Sequence, residues 1–208
     1  MKEQFFKKFS IFLFFFLVLN MGVAMAIQEP GFVLESKNNN YEIRQYKPFL
    51  VAETMIDSDF EGAGNAAFRI LADFIFGNNK SQKKLEMTAP VTQQVVSEKI
   101  EMTAPVNQVK KDNGFLVQFV MPEGHTLLTI PMPNDPRVHI KEIPAKRFAV
   151  YSYSGSWSES RYNDKLEDFK SKLKNDGIQF TGEPIFSRYN SPFQLWFLRR
   201  NEIWFELK

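Results

Sequence analysis

The feature that most constrains this chain is that it nearly repeats itself. Residues 41–75 and 138–173, laid on one another with an offset of about 98 residues and one gap, show one order of signals: strand, strand, helix. In the first unit Tyr41-Glu42-Ile43-Arg44-Gln45-Tyr46 and Leu50-Val51-Ala52 precede the helix. In the second, Val138-His139-Ile140-Lys141-Glu142-Ile143 and Phe148-Ala149-Val150-Tyr151 do. Phe60 then falls on Trp157 or its neighbour, Leu71 on Phe169 and Ile75 on Leu173. Each unit finishes in further β-like sequence, residues 115–121 in one case and 203–207 in the other. The pattern predicts an α+β protein in which two similar halves share one sheet system.

The helices are the best-marked elements. Ser58-Asp59-Phe60-Glu61 has the S-x-x-E form of a capping box, and the helix it opens should end before Gly77-Asn78-Asn79. At 100° per residue Phe60, Ala63, Gly64, Ala67, Ile70, Leu71, Phe74 and Ile75 share one arc, the predicted core stripe. Phe68, Ala72 and Phe76 do not. They recur every four residues beside Glu61, Asn65 and Arg69 as a second apolar strip on the face expected to be wet. The second helix, residues 158–175, carries one stripe only, Tyr162, Leu166, Phe169 and Leu173, so the first is the better candidate for touching an apolar ligand.

A shorter repeat lies between the halves. Lys84-Leu85-Glu86-Met87-Thr88-Ala89-Pro90-Val91 returns as Lys99-Ile100-Glu101-Met102-Thr103-Ala104-Pro105-Val106. The alternation before each proline predicts two strands that reach an edge or bulge there, because proline cannot donate to a ladder. Glu86 and Glu101 occupy equivalent positions and are expected to face solvent rather than form an acid/base couple.

At the N-terminus Lys2, Lys7 and Lys8 precede an apolar run and then Ala24-Met25-Ala26, the three parts of a secretory signal. The run is short for a bilayer about 30 Å thick, which favours cleavage after Ala26 over a retained anchor. The reading is therefore a signal peptide over 1–26 and a single domain over 27–208, secreted or periplasmic. The leader holds three lysines and one glutamate, so 23 basic and 23 acidic residues follow it, and such a balance gives no nucleic-acid footprint. The 208 residues contain no cysteine, which removes disulfides, thiolate metal sites and cysteine nucleophiles together.

Catalytic constellations are not found. His125 sits in the turn Pro122-Glu123-Gly124-His125, and His139 alternates with Val138 and Ile140 on a strand; neither has a second histidine at metal-ligand spacing. The expectation is a binding protein and not an enzyme.

The strand Tyr41–Tyr46, the twin M-T-A-P-V segments, Tyr189-Asn190-Ser191-Pro192 and Arg200-Asn201-Glu202-Ile203-Trp204 together resemble the SOUL haem-binding protein family, from about residue 31 to the C-terminus. The resemblance implies a distorted antiparallel β-barrel with two flanking helices and pseudo-twofold symmetry. It also implies a tetrapyrrole ligand, haem or another porphyrin. Some members carry a histidine, proposed as the axial iron ligand, where this sequence has Gln45, and an amide oxygen is a poor substitute. Other members are thought to hold the ring by apolar contact between the first helix and the loop before the last strand. Here those regions correspond to Asn65, Phe68, Arg69 and Ala72, and to Tyr189, Pro192, Phe193 and Gln194. The implied picture is a ring stacked on Phe68, Phe193 and Tyr189, with Arg69 or Arg188 pairing a propionate. A weak carrier or scavenger without an axial protein ligand follows. The alternative is a non-enzymatic interaction module that binds a protein or another amphiphile.

Overall fold

The computed structural model of the chain describes residues 27–82 and 96–208. The expected leader and the first octet, residues 84–91, lie outside them. Along the chain run β1 (Phe32–Lys37), β2 (Glu42–Tyr46), β3 (Phe49–Ile56), α1 (Phe60–Ile75), β4 (Asn79–Lys80), β5 (Val106–Lys111), β6 (Gly114–Val120), β7 (Met132–Pro133), β8 (His139–Ile143), β9 (Lys146–Ser154), α2 (Glu159–Asn175), β10 (Phe180–Arg188) and β11 (Arg200–Leu207).

Nine of the strands form one antiparallel sheet in the order β1-β2-β9-β11-β10-β5-β6-β3-β8. It curls into an open, distorted barrel whose edges are β1 and β8. Set β1 aside, equate β2 with β8, β9 with β3, β11 with β6 and β10 with β5, and the order reads the same from either end. The duplicated halves are therefore interlocked. The first strand of one unit pairs with the second strand of the other: Glu42 opposite Val150 and Tyr46 opposite Lys146 on one side, Phe49 opposite Ile143 and Glu53 opposite His139 on the other.

Both helices pack on one face of this sheet, as their apolar stripes require. The stripes meet where Phe60 of α1 stacks on Tyr162 of α2, ring centroids 4.8 Å apart, with Phe186 of β10 beneath at 5.3 Å from Phe60. Tyr162, Leu166, Phe169 and Leu173 are all buried, as their spacing predicts. The α1 stripe is also buried apart from half-buried Ile70, with one correction: Ala72, expected on the wet strip, is buried at 6% exposure. Residues 96–105 run past this end of α1, and the Ile100 amide donates to the Ile75 carbonyl at 2.8 Å. The start of α1 is a second correction. Asp59, not Ser58, is the cap, its carboxylate accepting from the Gly62 amide at 2.6 Å. A carboxylate also complements the positive end of the helix dipole.

The second octet departs from expectation as well. Residues 99–105 are irregular, and β5 begins only at Val106. Its polar groups are satisfied outside any ladder: the Ala104 amide donates to the Gln28 carbonyl at 2.9 Å, and the Thr103 hydroxyl to the Val120 carbonyl. Among the described residues no helix is long and apolar enough to cross a membrane.

Candidate functional site: an apolar loop beside an unpaired arginine

Strand alternation sends the motif residues of β2 and β11 to the sheet face away from the helices, where they assemble around Glu202. Glu202 has no exposed surface. Its Oε1 accepts from Arg200 Nη2 at 2.8 Å, Ser152 Oγ at 2.9 Å and Arg44 Nη2 at 3.2 Å. Its Oε2 accepts from Tyr189 Oη at 2.6 Å, Trp204 Nε1 at 2.7 Å and Arg44 Nη1 at 3.1 Å. Arg44 also donates to Glu42 at 2.7 Å and to the Tyr46 hydroxyl at 3.0 Å. Burial alone would raise the Glu202 carboxyl; the guanidiniums of Arg44 and Arg200 outweigh it and hold the group below its ordinary value. The Y-E-x-R-x-Y and N-E-I-W sequences are thus two halves of one buried cluster. With donors on both oxygens from every side, Glu202 is a structural anion and has no place for a reacting proton.

Beyond Tyr189 the chain leaves the sheet. Asn190 Oδ1 accepts from the Arg200 amide at 2.6 Å and ties the loop's two ends together. Arg199 fixes its interior, donating from Nη2 to the Pro192 carbonyl at 2.7 Å and from Nε to the Gln194 carbonyl at 2.9 Å. So held, the loop turns its apolar side chains outward. Phe193 is 95% exposed, and Leu195, Trp196, Phe197 and Leu198 are each more than half exposed. The last three form a short 3-10 turn, Trp196–Leu198, in which the Trp196 and Phe197 rings meet edge to face. Five neighbouring exposed side chains of this size form a contiguous apolar patch, unlike the scattered apolar exposure of ordinary protein surfaces.

The loop springs from the end of β10, where Arg188 lies opposite Val106, which in turn lies opposite Phe119. Phe68 of α1 sits over Phe119, ring centroids 5.6 Å apart, and remains 37% exposed. Two strand spacings, about 10 Å, separate the Arg188 and Phe119 backbones, so Phe68 and the loop occupy the same end of the sheet. Arg188 itself reaches toward α1 at Gly64, where a Cβ would collide with its guanidinium. It lies over the rings of Trp157, at 5.3 Å, and Phe186, at 5.8 Å.

These positions bring some of the expected site residues together and disperse others. Phe68, Pro192 and Phe193 are exposed at this end, Asn65 is exposed on α1, and Gln194 contributes its carbonyl to the Arg199 brace. Ala72 is covered. Tyr189 is a further correction: it is 7% exposed, its hydroxyl committed to Glu202 and its ring capped by Arg200 at 3.8 Å, so it offers no face for stacking. Arg69 points elsewhere, into an open groove of about 640 Å³ that it shares with Asp73, Asp135 and Arg137. Leu195 to Leu198 and Arg199 belong to no motif of the sequence, and Trp157 enters it only as the repeat counterpart of Phe60. The run Phe193-Gln194-Leu195-Trp196-Phe197-Leu198 was the available signal, since an apolar stretch right after a Y-N-S-P turn has no strand alternation.

Gln45 is remote from all of this. It pairs with Arg147 on β9, seven residues before Ser154, the residue opposite Arg200, which is about 23 Å along a strand. Its Nε2 donates to the Tyr46 carbonyl at 3.3 Å. His139 is exposed at the start of β8, His125 lies in its turn, and no cluster of metal-ligating side chains occurs among the described residues.

A duplicated, interlocked sheet with two helices on one face and a braced apolar loop at one end defines the architectural class, an α+β protein built on an open, distorted antiparallel barrel. The chain belongs to the SOUL haem-binding protein family, whose sequence profile matches residues 27–206. It is 28% identical over 189 residues to heme-binding protein 2 of Homo sapiens, covering 88% of this chain and 87% of that one. To heme-binding protein 2 of Mus musculus it is 27% identical over 173 residues, covering 82% and 80%. The crystal structure of the EcmrR C-terminal domain has a similar fold, with a TM-score of 0.54 at 13% identity over 81% of this chain and 98% of that one.

Proposed function

We propose that this protein binds haem or a related porphyrin outside the cytoplasm as a weak carrier or scavenger, and is a binder and not a catalyst. The ring is held by apolar contact and not by an axial bond from the chain. The observation that carries this reading is the row of exposed side chains from Phe193 to Leu198 at the end of the sheet where Phe68 is also exposed. A porphyrin is a flat apolar disc with carboxylates on one edge. The loop offers aromatic faces to such a disc, and a cationic side chain stands at the loop's base. Family membership and the names of the two relatives support the same ligand class. Bound iron would supply redox and ligand chemistry, but Gln45 is chemically poor and lies at the other end of the strands. Haem and metal-free porphyrin should therefore bind alike. The leader-like sequence of residues 1–26 supports the compartment, and a chain without cysteine meets no thiol problem there.

Haem titration followed by Soret absorbance tests this. Binding saturates in the wild type, and Phe68→Ala together with Phe193→Ala weakens it about tenfold or more while the chain still folds, since both rings lose contact area with the ligand, Phe193 almost none with the protein and Phe68 its packing on Phe119. Unchanged affinity in the double variant would remove this location, and absence of saturation would remove the ligand. The distance of Gln45 from the loop favours one other reading, a module for amphiphiles in general. Displacement of a bound hydrophobic dye by many unrelated amphiphiles, with no preference for porphyrin, is its signature.

A further inference from the structure

Arg188 is a cation that the fold has largely buried without giving it an anion. Its Nε is sealed from solvent with no acceptor. Among the described residues its Nη2 reaches only the neutral amide oxygen of Gln108, at 3.4 Å, and no carboxylate bonds it. Burial lowers its pKa to about 10, so it stays charged at neutral pH. The contrast with Arg44, a few strands away and paired to Glu42 and Glu202, shows that the sheet can supply counter-ions where it needs them.

The surroundings of Arg188 are shaped around the guanidinium. α1 has a glycine, Gly64, where any side chain would displace it. The Trp157 ring is held in place by its Nε1 donating to Asn201 at 2.8 Å. Arg199 lies against the same ring at 4.2 Å, and its own donors go to loop carbonyls, not to acids. Two guanidiniums without carboxylate partners thus flank one indole at the base of the apolar loop. The acids at the helix starts, Glu61 and Glu159, are exposed, and neither bonds to Arg188.

We infer that Arg188 is the anion-recognition group of the platform: a carboxylate on the rim of an apolar ligand seats against its guanidinium, in the seam between Gly64 of α1 and Trp157. This rests on the porphyrin reading and sharpens it, because it makes the site selective for ring diacids over their esters. It also separates Arg188 from Arg69, whose groove already contains Asp73 and Asp135. An unpaired, partly desolvated guanidinium gains more from a carboxylate than a hydrated surface cation does, through charge-assisted and bidentate hydrogen bonds.

The test compares metal-free protoporphyrin IX with its dimethyl ester, using fluorescence titration of the full chain. The diacid is expected to bind wild type about ten- to hundredfold more tightly than the ester, the range set by hydrogen bonds to charged groups. Arg188→Gln should bring the diacid down to the affinity of the ester and leave the ester unchanged. Its melting temperature should be no lower than wild type, since an uncompensated buried charge is gone. Should Arg188→Gln fail to fold, Gly64→Ala, which displaces the guanidinium and keeps its charge, must lower diacid affinity selectively, and Arg188→Lys must retain part of it. Equal affinity for diacid and ester in the wild type, or diacid affinity unmoved by these variants, overturns the role of Arg188 and leaves the apolar platform standing. Failure of both porphyrins to bind overturns the platform itself.

Discussion

Glu202 and Arg188 sit on neighbouring strands, face opposite sides of the sheet and meet opposite fates. Glu202 is an anion satisfied by two guanidiniums, two hydroxyls and an indole, and breaking such a set by removing its charge is far more damaging than never having built it. Glu202→Gln leaves buried Arg44 and partly exposed Arg200 against a neutral amide, and should lower unfolding free energy by about 3–5 kcal/mol in denaturant titrations. The pH dependence follows from the sign of the shift. A carboxyl held below its ordinary 4.5 contributes stability that is fully present above that value and is lost as pH falls through the lower, folded-state value. Melting temperature should therefore be level from neutrality down to about pH 5 and fall on further acidification, more steeply in wild type than in Glu202→Gln. None of this was legible at the level of single residues. Arg44 and Glu202 are 158 positions apart, and only the pairing of β2 and β11 with the intervening β9 brings them together. The motifs could be recognised but not explained, because their physical content is a contact and not a spacing.

Among the elements, those with unbroken periodicity were readable and those with interruptions were not. Both helices follow their stripes, and β2, β3, β6, β8, β9 and β11 fall where alternation put them. β10 is not legible in the sequence, for an identifiable reason. It contains Gly182 at φ 71° and Pro184, and its register with β11 shifts between Thr181 and Ile185, so the alternation is scrambled where it should have been read. β1, a mostly exposed edge strand with its own shift between Leu34 and Ser36, gave too weak a signal. The apolar loop shows the opposite failure: Phe193 to Leu198 has the composition of core, yet the ties from Asn190 and Arg199 turn it toward solvent. Within α1, the Asp59 cap supports the helix that carries both Phe68 and Gly64. Asp59→Ala should cost about 1 kcal/mol in equilibrium unfolding, whereas Ser58→Ala should cost much less, because Ser58 is not the residue that caps.

For the molecule as a whole the governing fact is that neither half has a complete sheet of its own. β2 finds its partner β9 in the second unit, and β8 finds β3 in the first, while β10 and β5 join the two at the centre. A fragment of residues 27–134 should give the circular dichroism and poorly dispersed amide spectrum of an unfolded chain. Residues 135–208 should behave likewise, and mixing the two should restore the native spectra; independent folding of either piece would contradict the pairing. The duplication itself was visible in sequence and its exchange of strands was not, since a repeat reveals that two units are alike and says nothing about which neighbour each strand chooses. That exchange bears on descent. A gene specifying one unit would yield a product with a vacant seat beside its second strand and a leading strand in search of one, a mutual handshake that two identical copies complete. Fusing such copies end to end frees them to diverge, and a lone arginine at the end of β10, with no counterpart demanded across the dyad, is the kind of asymmetry that only the fused form can acquire.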